Sequence, residues 1–132
     1  MSGLPGPQLQ RVTEFIDHNL ARALPLAELS AEAHLSQYHF ARLFKESMGI
    51  PPHRFVVRRR IERACALLLE GHLSIDAIAR AVGFRTRSHF SMVFHRHIGS
   101  PPTVYRAFGP LHKTNGAAHQ ASSELSSDLK QA

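Results

Sequence analysis

Phe40–Phe55, FARLFKESMGIPPHRF, and Phe90–Tyr105, FSMVFHRHIGSPPTVY, are two versions of one segment. Phe40/Phe90, Leu43/Val93, Phe44/Phe94, Gly49/Gly99, Pro51/Pro101, Pro52/Pro102 and Phe55/Tyr105 match at an offset of fifty residues. The likeness extends backwards, where Leu26, Leu29, Ala33 and Leu35 match Ile75, Ile78, Val82 and Phe84 at an offset of forty-nine. One residue has therefore been inserted between Phe84 and Phe90. An insertion is absorbed most easily between helices, so each copy reads as helix, short turn, helix.

The grammar of helix ends supports that division. Ser36 is placed to cap a helix that ends near Met48, with Gly49 as its left-handed terminator. Pro52 opens the next helix, where a missing N–H costs nothing. The same signals recur at Thr86 or Ser88, Gly99 and Pro102. His34 stands where the other copy has Gly83; a left-handed turn there is tolerated by His, less comfortably than by Gly. Pro25 precedes a helix expected over Leu26 to His34, and Leu9, Val12, Phe15, Ile16 and Leu20 predict a first helix over Gln8 to Leu20.

Between the copies, Val57, Ile61, Ala64 and Leu68 give PHRFVVRRRIERACALLLEG one apolar side. As a single helix over Pro52 to Glu70 it would span about 28 Å at ~1.5 Å per residue, close to the ~34 Å between successive major-groove faces of B-DNA. The expected domains are 8–51, a first helix-turn-helix subdomain; 52–70, a linker helix; and 71–108, a second helix-turn-helix subdomain. Residues 109–132, rich in Gly, Ala and Ser, read as a flexible polar tail.

With 132 residues, 43% of them apolar, the chain can build one or two small cores. No apolar run is long enough to span a membrane, and MSGLPGPQLQ is not a secretory signal, so a cytoplasmic protein is expected. A single cysteine, Cys65, excludes an internal disulfide framework, and its apolar neighbours mark it as a small buried hydrophobe.

The net charge of +6 is unevenly spread. Residues 1–35 hold two arginines against four carboxylates, whereas 36–108 hold twelve cations against four carboxylates. That concentration points to a polyanionic partner, with nucleic acid first among them. The outward set Gln37, Tyr38, Arg42 and Lys45 follows helical spacing in the first copy. The second offers Arg85, Thr86, Arg87, Ser88, Ser91, Met92 and Arg96. Arginine matches guanine O6 and N7, Gln matches adenine, and hydroxyls and cations hold phosphates. The arginines at 54, 58–60 and 63 are either phosphate clamps or a solvated connector with one Arg paired to Glu62. Ten histidines invite a metal reading, but His95 and His97 lie two apart on a helix and point in different directions. No metal, no cofactor and no catalytic residue is expected.

These residues resemble the DNA-binding domain of AraC/XylS transcriptional regulators over roughly Gln8 to Phe108. The pattern is most specific in RRRIERACALLLEGHLSIDAIARAVGFRTRSHFSMVFHRHIGSPPTVYR. The resemblance implies an all-α fold of seven helices, two helix-turn-helix subdomains and a joining helix, with both recognition helices in neighbouring major-groove segments. It puts base-reading positions on Tyr38, Ala41 and Arg42, and on Arg87, Ser88, Ser91 and Met92. Ala41 and Met92 stand where relatives often carry longer polar or cationic side chains, and His95 replaces a common Lys. Arg60 matches a linker position that supports the fold as readily as it touches DNA.

The expected function is sequence-specific binding of double-stranded DNA as a bacterial, nucleoid-associated transcriptional regulator. The resemblance implies an activator that contacts RNA polymerase. If the chain is full length, a monomer is expected. Two alternatives stand beside this: a basic architectural protein that binds DNA without sequence preference, and a helical module whose basic face meets an acidic protein.

Overall fold

In the computed structural model, residues 3–110 are described. Among them the chain forms seven helices and no strand: α1 (Gly6–His18), α2 (Leu26–Glu32), α3 (Gln37–Met48), α4 (Pro52–Glu70), α5 (Ile75–Ala81), α6 (Arg87–Ile98) and α7 (Pro102–Phe108). The chain divides into two compact units, with the division between Arg59 and Arg60, inside α4. The polar tail expected over 109–132 lies outside the described residues from 111 onward.

In the first unit α1 packs on α2, and α2 on α3. Val12, Ile16, Leu29, Phe40, Phe44 and Ile50 are buried at 1% exposure or less. Phe40, Phe44 and Phe55 form an aromatic series, with centroids 5.5 and 5.4 Å apart and the second pair edge-on. The second unit repeats it: Phe84, Phe90, Phe94 and Tyr105 follow one another at 5.4, 5.6 and 5.5 Å. The matched aromatics of the two sequence copies therefore occupy matched places in two separate cores.

The turn inside each helix-turn-helix is built identically. Leu35 N–H donates to Ser30 C=O (3.0 Å) and His34 N–H to Ala31 C=O (3.0 Å); Phe84 N–H donates to Ala79 C=O (2.8 Å) and Gly83 N–H to Arg80 C=O (3.1 Å). This is the paired bonding that closes a helix through one left-handed residue. That residue is His34 in the first unit, at φ 58, and Gly83 in the second, at φ 95. A side chain in this region costs roughly 1–2 kcal/mol, partly offset because Gly is freer in the unfolded chain. His34→Gly is thus expected to stabilise the first unit by about 0.5–1 kcal/mol, read as a higher urea midpoint with unchanged slope. An unchanged or lower midpoint would show that His34 contributes a compensating contact.

Three expected boundaries move. The first helix starts at Gly6 rather than Gln8, because Pro7 fits the first turn. It ends at His18 rather than Leu20, where the Asn19 amide donates to Phe15 C=O at 2.8 Å. The second helix ends at Glu32 rather than His34, and α1 satisfies its last carbonyls through Gln8 Nε2 to Ala33 O (2.6 Å) and Arg11 Nε to Glu32 O (3.2 Å).

The connector α4 also differs from the single stripe expected of it. Phe55 and Val56 are buried in its first half and Ile61, Ala64, Leu67 and Leu68 in its second, while Val57 is only half-buried. Val56 and Ile61 are five residues apart, which is not a helical repeat, so the buried side changes partway along. Each half serves the core of its own unit. In the second, the Cys65 thiol is hydrogen-bonded to the Tyr105 hydroxyl, and burial pushes it up from 9.0 to about 11. A raised thiol contributes stability below its ordinary range that is lost as pH climbs from about 9 toward about 11. Alkaline unfolding should begin in that window, seen as a falling melting temperature.

Candidate nucleic-acid interface

In both units the second helix of the helix-turn-helix opens on a side-chain cap: Ser36 Oγ accepts from His39 N at 3.2 Å and Thr86 Oγ1 from His89 N at 3.1 Å. The inserted residue is Arg85, exposed just before the second cap. Because Thr86 supplies that cap, Thr86→Ala is expected to lose about 1 kcal/mol of stability while Thr86→Ser retains it. Equal melting temperatures for the two variants would overturn this.

Beyond the caps, α3 and α6 each turn one side into the core and the opposite side to solvent. On α3, Tyr38, Ala41, Arg42 and Lys45 lie at i, i+3, i+4 and i+7 and share a stripe. Tyr38 is 78% exposed, Arg42 and Lys45 are exposed, Ala41 is half-buried, and Gln37 is exposed at the helix start. On α6, Ser88, Ser91, Met92 and His95 share the equivalent stripe, with Met92 51% exposed and Ser91 half-buried. Arg87 opens α6 on its exposed first turn, and Arg96, one turn beyond Met92, is exposed too. The expected residues of α3 and α6 are thus exposed or half-buried, with Arg87 and Arg96 to either side of the Ser88, Ser91 and Met92 stripe and Arg85 and Thr86 lying before the helix.

Two of these arginines already have carboxylate neighbours. Arg42 Nη1 lies 3.4 Å from Glu46 Oε2 and Arg87 Nη1 lies 3.9 Å from Asp76 Oδ2. Both pairs are exposed, and such pairs contribute about 0–1 kcal/mol. A phosphate or guanine edge can displace the carboxylate at little cost. The i, i+4 spacing of Arg42 and Glu46 is readable in sequence. Asp76 and Arg87 sit on different helices, and only folding brings them together.

Among the linker arginines, Arg59 grips both carboxylate oxygens of Asp17 and stacks 5.4 Å from the Phe55 ring centroid. That ties it to the first unit's own fold. Arg60 is half-buried, and desolvation pushes its guanidinium below the ordinary arginine range. Arg63 is exposed. Among the described residues no three His, Cys, Asp or Glu side chains gather closely enough to hold a metal ion. None of their helices is long and apolar enough to cross a membrane.

The helix-turn-helix domain family matches residues 29–107, from within α2 into α7. A crystal structure described as a transcriptional regulator with an AraC-type DNA-binding domain, from Chromobacterium violaceum, superposes with a TM-score of 0.72 at 29% identity, covering 76% of this chain and 90% of that one. The chain belongs to the AraC family of transcriptional regulators. The DNA-binding domain of AdpA, solved in complex with a target DNA, matches with a TM-score of 0.73 at 28% identity, over 83% of this chain and 98% of that one. The probable transcriptional regulator LumQ of Photobacterium leiognathi is 38% identical over 97 residues, 74% of this chain and 39% of LumQ. The chain spans well under half the length of the curated relatives it matches. Those relatives are transcription regulators rather than enzymes.

Proposed function

We propose that this AraC-family chain is a sequence-specific double-stranded DNA-binding regulator. In this reading residues 8–51 and 71–108 are two readers, and 52–70 connects them. They set α3 and α6 into adjacent major-groove segments of an asymmetric site. The supporting observation is that the two units share one frame and differ on the exposed stripe: Gln37, Tyr38, Arg42 and Lys45 on α3 against Arg87, Ser88, Ser91 and Met92 on α6. Equal frames with unequal faces suit two different half-sites, so no palindrome is required. Arg85, Thr86 and Arg96 flank the second stripe as phosphate contacts. Activation through RNA polymerase, in the bacterial cytoplasm on the nucleoid, completes the proposal by analogy with the family.

Selection of bound duplexes from a random pool, followed by competition against mixed-sequence DNA, tests it. Two unlike half-sites and a preference of ~10³ or more are expected. Enrichment of no sequence, with equal affinity for all duplexes, would favour an architectural protein. Absence of retention on duplex DNA at moderate salt would favour an acidic protein partner.

A further inference from the structure

Comparison of the two exposed stripes isolates one position. Lys45 follows the buried Phe44 on α3, and His95 follows the buried Phe94 on α6. Both are exposed, and among the described residues neither side chain has a hydrogen bond or an ion pair. On its own helix each is the i+7 member of the stripe that begins at Tyr38 or Ser88, about 10 Å along the axis at ~1.5 Å per residue. A recognition helix enters the major groove with its N-terminal residues on the base edges, and the groove is ~12 Å wide. A side chain two turns further along the same stripe reaches the phosphates that wall the groove. Lysine there is a permanent cation. Imidazole is the side chain whose charge ordinarily changes between about pH 5 and 8.

We propose that His95 is a proton-dependent phosphate contact of the second reader, occupying the place that Lys45 fills permanently in the first. This rests on the DNA-binding reading above. The surroundings suit it. Helix α6 carries no carboxylate, only Arg87, His89, His95, Arg96 and His97 as chargeable groups. Of the elements packed most closely on α6, α5 brings Asp76 and Arg80, and α7 brings Tyr105 and Arg106. Asp76 neighbours Arg87, Arg106 donates to the Leu73 carbonyl, and the Tyr105 hydroxyl is bonded to Cys65. No acid within this set is paired with His95, so a phosphate is free to supply its counter-charge. His89, by contrast, stands edge-on to Phe84 at 5.4 Å, in contact with its own unit. Affinity should be higher at pH 5.5 than at pH 7.5.

The probe is a labelled mixed-sequence duplex of about 40 base pairs, long enough for two groove faces ~34 Å apart. Binding of the full chain is followed by anisotropy at pH 5.5 and pH 7.5 over a salt series. One phosphate contact changes affinity roughly three-fold between 50 and 200 mM salt, and the logarithmic salt slope by about 0.9. For the native chain a slope steeper by nearly that amount at pH 5.5 is expected. His95→Gln should remove that increment, His95→Lys should give the steep slope at both pH values, and Lys45→His should weaken binding at pH 7.5 and restore it at pH 5.5. Circular dichroism confirms that each variant folds. An undiminished pH increment in His95→Gln, or no tightening at pH 7.5 in His95→Lys, overturns the proposal while leaving the DNA-binding reading intact. A native chain that binds the duplex at neither pH, even at low salt, overturns both.

Discussion

Phe94→Ala is expected to abolish the cooperative melting of the second unit. The ring is fully buried, with Phe90 and Tyr105 centroids 5.6 and 5.5 Å away on either side. Truncating such a residue removes its transfer energy and leaves a cavity that neighbouring helices fill only in part, costing about 3–5 kcal/mol. A core this small supplies only about that much in total. Most molecules should therefore lose packing over α5, α6 and α7. Amide exchange would show protection lost there, and binding to a selected duplex should fall because α6 is no longer held. Phe44→Ala is the matching change in the first unit, where Phe40 and Phe55 stand at 5.5 and 5.4 Å. A melt of Phe94→Ala that keeps its cooperativity and moves by only a degree or two would mean that the series of rings is not what holds the unit.

Arg87→Ala is expected to weaken binding to the selected site by about 1–3 kcal/mol, roughly 5- to 150-fold, with little change in stability. Its ion pair with Asp76 is long, 3.9 Å, and exposed, so its removal should hardly disturb α6. Asp76→Asn separates reading from restraint. Removing that carboxylate frees the guanidinium and takes a negative charge away from the phosphates, so a few-fold gain in affinity is expected. Titrations on selected and mixed-sequence duplexes decide the role of Arg87: a larger loss on the selected site marks a base contact, and equal losses mark a phosphate contact.

The helices were legible because their ends are chemically local. Ser36 and Thr86 accept from amides three residues on, Gly49 and Gly99 take φ 82 and 98, and each signal lies within a turn of what it controls. Even the left-handed His34 followed from its alignment with Gly83. The first helix was misplaced by two residues because Gly6 and Pro7 resemble a loop until the first turn is seen to need neither side chain nor N–H.

The exposed stripes were legible for the same reason, since the buried phenylalanines fix which side of α3 and α6 is left outside. Their partners were not. Asp17 and Arg59 are 42 residues apart, so nothing in their spacing foretells that this arginine is engaged within its own unit. Nor does it foretell that Arg87 has Asp76 beside it. The division of α4 into two buried sides is likewise nonlocal, because its apolar residues answer to two cores rather than to one helical period. Sequence by itself determined the repeated frame, the capped and glycine-terminated ends of α3 and α6 and the face each repeat exposes, all set by interactions within a few residues. Tertiary structure decided which charges remain available on those faces, because that depends on chain segments whose approach no local periodicity encodes.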